Sequence, residues 1–214
     1  MTATVGKTNK GRQALKLLIG AAAGALSTIL FMELVGKSRL ESGDPGVHIA
    51  IVAGLIYFVM GVGVGIGALA PRGGAVFLNV EDAEELREQR ASLGPSAVSC
   101  ILIGAFLLLL ALAPVEKGGD LTAWAIGAGA CLIGGVAIGI ATRRRADELM
   151  RQVSLESSAL TLNLALAGLS GWALLSHLGY VRWATPLTLI AGLALLHLAA
   201  IFWTAARKGM MKPR

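Results

Sequence analysis

Six polar side chains stand within or beside long apolar stretches of this chain: Glu33, His48, Asn163, Ser170, His177 and His197. Where water is excluded, an ionisable or strongly polar group is costly, so each is a candidate for function. Glu33, His48 and His177 fall near the ends of three different stretches. A carboxylate and two imidazoles are a donor set for a divalent cation or a proton relay. Solvated residues at a boundary explain the same three positions, so no metal ligand is assigned. His197 lies beyond the middle of the last stretch, where a neutral imidazole hydrogen-bonded to a neighbouring helix is expected; a haem would need an axial partner that the sequence does not identify. Cys100 and Cys131 differ in depth by about 10 Å when placed on helices, too far for a disulfide, and read as small packing residues.

Gly168-Leu169-Ser170-Gly171 resembles the Gly-x-Ser-Gly motif of rhomboid intramembrane proteases, in which the serine pairs with a histidine on a later helix. The resemblance implies His197 as the base. It covers four residues and departs from the family pattern, because the Ser and His stretches are adjacent here and not separated by another. No catalytic residue and no cofactor are assigned on this basis.

The elements that must hold these residues are the apolar stretches themselves. Residues 14–35, 48–70, 97–113, 121–142, 158–178 and 184–204 each approach about 20 apolar residues, and a helix of that length rises about 30 Å, the thickness of a bilayer's hydrocarbon core. Only a helix lets an isolated span satisfy its own backbone N–H and C=O groups there. Hydrophobic residues make up 55% of the 214 and charged ones 15%, a balance that a water-soluble domain of this size would struggle to cover. The first stretch begins with basic residues and contains Ala21, Ala22, Ala23 and Ala25. Its apolar run continues to Val35, beyond the about 7–15 residues of a signal core, so it is read as a membrane helix. The fold class is therefore all-α: a polytopic integral membrane protein built as a six-helix transmembrane bundle.

Orientation follows from charge. Of 19 Lys and Arg, 15 fall in the N-terminal segment, the second and fourth links and the C-terminal segment; Lys37, Arg39, Lys117 and Arg182 are the four on the other side. Positive residues stay on the cytoplasmic side, which puts both termini inside a bacterial-type inner membrane. Residues 1–13 become a basic cytoplasmic N-terminus, 14–204 the membrane domain with cytoplasmic links 71–96 and 143–157, and 205–214 a basic cytoplasmic C-terminus. The net charge of +6 is spread over links facing anionic headgroups, not gathered into a nucleic-acid-binding patch, so the lipid bilayer is the expected partner and nucleic acid is not. Trp124, Tyr180, Trp183 and Trp203 fall at span ends, where amphipathic rings settle.

Small residues at every fourth position let helix backbones approach closely in a bilayer. Gly61 and Gly65 form such a pair in the second span, and Gly127, Gly135 and Gly139 share a row in the fourth. An internal echo links Gly63-Val64-Gly65-Ile66-Gly67 to Gly135-Val136-Ala137-Ile138-Gly139, and the links that follow contain the similar segments Ala83-Glu84-Glu85-Leu86 and Ala146-Asp147-Glu148-Leu149. The second link reads as a short helix opened by Asn79 and stopped by Gly94-Pro95. No Gly or Pro interrupts the chain between Arg143 and Gly168, so the fifth helix is expected to begin near Asp147. The acidic second link and Arg143, Arg144 and Arg145 are placed to pair, although exposed pairs of this kind contribute only about 0–1 kcal/mol.

Function is read mainly by elimination. The links are too short for a soluble catalytic domain of about 50 residues. The chain is expected to be a non-enzymatic accessory or scaffold subunit that acts through helix packing and its cytoplasmic links, with a membrane-protein partner or a second copy of itself. The alternative is a small transporter or channel built on a parallel internal repeat, with a polar path near Thr28, Asn163, Ser170 and His197.

Overall fold

A computed structural model of the chain describes residue 29 and residues 44–70, 83–114, 121–144 and 146–210, with residues 83–89 described in backbone only. Among them run five helices: α1 (Pro45–Leu69), α2 (Ala83–Leu112), α3 (Thr122–Arg143), α4 (Glu148–His177) and α5 (Pro186–Arg207). All five are long and apolar enough to cross a membrane, α2 through its part Arg90–Leu112. Apart from residue 29, the stretch 14–35, with Glu33 and Thr28, lies outside the described residues, as does Asn79.

Local chemistry sets the helix ends. Asp44, Asp147 and Thr185 are N-caps, their side-chain oxygens accepting from the backbone N–H of Gly46 (2.8 Å), Met150 (2.7 Å) and Thr188 (3.3 Å). Pro45 and Pro186 occupy the first helical position, where a missing N–H does no harm. α4 and α5 close alike: Tyr180 N–H donates to Leu175 O and Met210 N–H to Ala205 O, with Gly179 and Gly209 at φ 79° and 74° supplying the left-handed residue that this closure needs.

Pro95 does not stop a helix. α2 runs through it from Ala83 to Leu112, so the link helix and the third span are one element. Proline at this position leaves Ala91 O without its usual helical donor, and next to it the Ser96 hydroxyl donates to Ser92 O at 2.8 Å.

Named contacts give the directions of the helices. Gly61 faces Ala97 and Ile101 while Gly54 faces Gly104 and Leu108, so α1 and α2 are antiparallel. Gly127 faces Leu109, Gly135 faces Ile103 and Gly139 faces Ser99, which makes α2 and α3 antiparallel too. α5 runs parallel to α1, with Gly46 against Thr185 and Thr188 at one end and Tyr57 reaching Ala194 further along. α4 is antiparallel to α5 through Thr161 with His197 and Glu156 with Lys208. The lateral order is therefore α3, α2, α1, α5, α4, with α3 and α4 touching only briefly. The core lies in the middle of this row, where Ala50, Ala53, Tyr57, Leu107, Ala191 and Leu198 cluster. α3 and α4 are its least buried members.

Candidate functional site

Alternating directions gather the charges. Arg90, Arg143, Arg144, Arg151, Arg207 and Lys208 lie at the end where α2 and α4 begin and α3 and α5 finish; Arg182 lies at the opposite end. Two ion pairs occur among the described residues. Arg151 Nη1 stands 3.8 Å from Glu148 in an exposed i,i+3 pair, and Lys208 Nζ donates to Glu156 Oε1 at 2.8 Å, tying α4 to the end of α5. The pairing expected between the acidic second link and the arginine run involves residues outside the described side chains.

The candidate polar residues separate. His48 is half-buried in the first turn of α1, its Nδ1 donating to Asp44 O at 3.3 Å. His177 is exposed in the last turn of α4, and α5 stands between α4 and α1. Glu33, the third member of that set, lies outside the described residues. Asn163 and Ser170 are exposed on α4, and Gly168 and Gly171 beside Ser170 have no neighbour within 4 Å of where a Cβ would stand.

His197 is half-buried, and its partner is Thr161, with Oγ1 and Nδ1 3.1 Å apart. The Thr161 hydroxyl donates to Ser157 O at 2.7 Å. With that proton committed, the imidazole must be the donor to Thr161. Neutral His197 is then the Nδ1–H tautomer, with Nε2 left as an acceptor. Ser170 lies nine residues beyond Thr161, about 13 Å further along α4, so the serine and histidine of the rhomboid-like reading are not brought within hydrogen-bond reach.

Away from the basic end, side-chain hydrogen bonds among the described residues join three pairs of neighbouring helices, and of the side chains involved only His197 stood out in the sequence. Tyr57 donates to Ala194 O at 2.8 Å between α1 and α5, Ser99 to Gly135 O at 2.7 Å between α2 and α3, and His197 meets Thr161 between α5 and α4. The α1–α2 contact instead uses glycine: a Cβ at Gly54, Gly61 or Gly104 would come within 3.0 Å of the facing backbone. Each adjacent pair of helices is thus joined either by a polar bond or by close backbone approach. Tyr57 carried a usable signal. An aromatic with a hydroxyl in mid-span, away from the interfacial belt, needs a buried partner. The two cysteines are free and half-buried, Cys100 on α2 and Cys131 on α3.

Thr161→Val and His197→Ala, taken alone and together, are expected to show a coupling of about 0.6–1.7 kcal/mol in a double-mutant cycle of unfolding in detergent, the range of interhelical hydrogen bonds in membranes. Independent effects of the two changes would show that the contact adds nothing to stability.

No protein-family model, curated protein or solved structure matches this chain.

Proposed function

We propose that the chain is a six-span protein of a bacterial-type inner membrane, with both termini cytoplasmic, and that it serves as a non-enzymatic accessory or scaffold subunit. The observation that supports this reading best is where the polar side chains point. Tyr57, Ser99, Thr161 and His197 are engaged between adjacent helices, while Asn163 and Ser170 look outward from α4, so the described members of the suggested polar path do not line one passage. A scaffold needs a rigid interior and exposed flanks, and among the described helices α3 and α4 are the least buried. The two helices that carry the internal echo also pack differently. α1 is central between α2 and α5, whereas α3 lies at the edge of the row, which favours the scaffold over a repeat-built transporter. The basic end becomes the cytoplasmic face under the positive-inside rule.

The test uses the chain tagged at its C-terminus and extracted from native membranes in mild detergent. A partner present in fixed stoichiometry supports the subunit reading. A homogeneous homo-oligomer that moves solute across liposomes would replace it with transport. Orientation is checked separately by reporter fusions in the links: activity of a cytoplasm-dependent reporter after Arg144 and after Lys208 is expected, and its absence at either position would reverse the assignment.

A further inference from the structure

The basic ends of α4 and α5 enclose a cleft of about 400 Å³ whose walls include Glu156, Leu160, Trp203, Thr204, Arg207 and Lys208. Its charges do not cancel. Lys208 is matched by Glu156 at 2.8 Å, but among the described residues no carboxylate lies within ion-pair distance of Arg207. One positive charge is left over, carried by a planar fork of donors that fits phosphate oxygens in pairs.

Deeper in the cleft is a second anomaly. Thr204 is only 5% exposed, and among the described residues its hydroxyl has no hydrogen-bond partner; its backbone carbonyl accepts from Lys208 N–H. Buried hydroxyls nearly always have a partner, so an orphan at the wall of a cleft points to a ligand atom there. Thr204 and Lys208 are four positions apart, about 6 Å along the axis. Beside Thr204 lie Leu160 and the indole of Trp203, an amphipathic ring at the depth where headgroups meet acyl chains.

We propose that this cleft binds an anionic glycerophospholipid, with its phosphodiester on Arg207 and Lys208, an ester or glycerol oxygen on the Thr204 hydroxyl, and the first methylenes of an acyl chain against Leu160 and Trp203. The single negative charge of phosphatidylglycerol matches the single excess positive charge. A phosphocholine headgroup brings a cation of its own and cancels that attraction. A free phosphate ion leaves the apolar wall unused, so lipid is the assigned source. The site stands on its own geometry and does not depend on the scaffold reading.

The experiment is native mass spectrometry of the purified chain, released from micelles containing equal amounts of dioleoyl phosphatidylglycerol and dioleoyl phosphatidylcholine. The wild type is expected to retain phosphatidylglycerol in clear preference. Arg207→Gln is expected to lower that retention by about tenfold, the scale of one charge-assisted hydrogen-bonded contact, and Thr204→Val by a smaller factor. Arg151→Gln, at the same end but outside the cleft, is expected to leave it unchanged. Thermal melts of each variant in detergent check that the fold is retained, and Thr204→Val, which keeps the side chain's shape, provides a second route if Arg207→Gln melts early. Equal retention of the two lipids, an equal loss in Arg151→Gln and Arg207→Gln, or displacement of phosphatidylglycerol by inorganic phosphate would each overturn the proposal.

Discussion

Gly61→Ala is expected to destabilise the helix bundle by about 1–3 kcal/mol, while Gly65→Ala, one turn away on the same helix, is expected to leave it unchanged or slightly more stable. The two glycines form one small-residue pair in sequence, yet they meet different surroundings. A Cβ at Gly61 would lie 2.7 Å from Ala97 O and Ile101 Cγ1 and 2.8 Å from Ile101 N, whereas at Gly65 the nearest atom is Ala97 Cβ at 3.7 Å. Two of the three atoms facing Gly61 are backbone of α2, held by that helix's own hydrogen bonds, so a methyl group is accommodated only by moving the helices apart. That movement would loosen the whole seam, because Gly104 across it is equally tight: a Cβ there would lie 2.7 Å from Gly54 O and Phe58 N. Alanine gains about 1 kcal/mol of helix propensity over glycine. At Gly61 the gain is outweighed by the separation, and at Gly65 nothing opposes it. Unfolding of each variant in one fixed detergent measures the contrast, and equal losses at the two positions would show that backbone approach does not hold α1 to α2.

What the sequence made legible was the set of helices; what it did not was their arrangement. Apolar length locates spans because the bilayer imposes it, and the five described helices fall on five of the six expected stretches. The start of α4 near Asp147 was readable from the absence of Gly and Pro between Arg143 and Gly168, and the Asp147 side chain caps it there. Pro95 misled for the opposite reason. Its local tendency is to end a helix, and whether a helix tolerates it depends on surroundings that the residue itself does not encode. The four-residue rows picked out Gly61, Gly65, Gly127, Gly135 and Gly139, all of which face α2, but missed Gly54 and Gly104, two of the tightest points. On the α1–α2 seam the small residues recur at seven, as Gly54, Gly61 and Ala68 on α1 and, running the other way, Ala111, Gly104 and Ala97 on α2. That is the spacing of two long helices crossing at a shallow angle. His197 was readable as a histidine bonded to a neighbouring helix, but Thr161 as its partner was not, since the relative height of α4 and α5 is set by their packing.

The adjacency of α1 and α5 is the least local fact in the fold, and Tyr57 is where it can be tested most sharply. Its ring is buried to within 7% in the cluster shared by α1, α2 and α5, and its hydroxyl donates to Ala194 O at 2.8 Å, a bond between residues 137 positions apart. The two parts of the side chain contribute different amounts. Tyr57→Phe removes one interhelical hydrogen bond and keeps the ring, so a loss of about 0.6–1.7 kcal/mol is expected. The remaining acceptor is a helical carbonyl that can already be engaged within its own helix, which holds the loss to the lower part of that range. Tyr57→Ala empties the middle of the row. In a bilayer the transfer of the ring from lipid to protein contributes little, because lipid is as apolar as the core, but the cavity left behind still forfeits dispersion contacts on every side. A loss of about 2–4 kcal/mol is therefore expected, with Leu107→Ala, fully buried in the same cluster, falling in a similar range. Both variants should also loosen α5 from α1. Equal stability of Tyr57→Phe and Tyr57→Ala would mean that the ring does not pack between the helices and that α5 does not lie against α1.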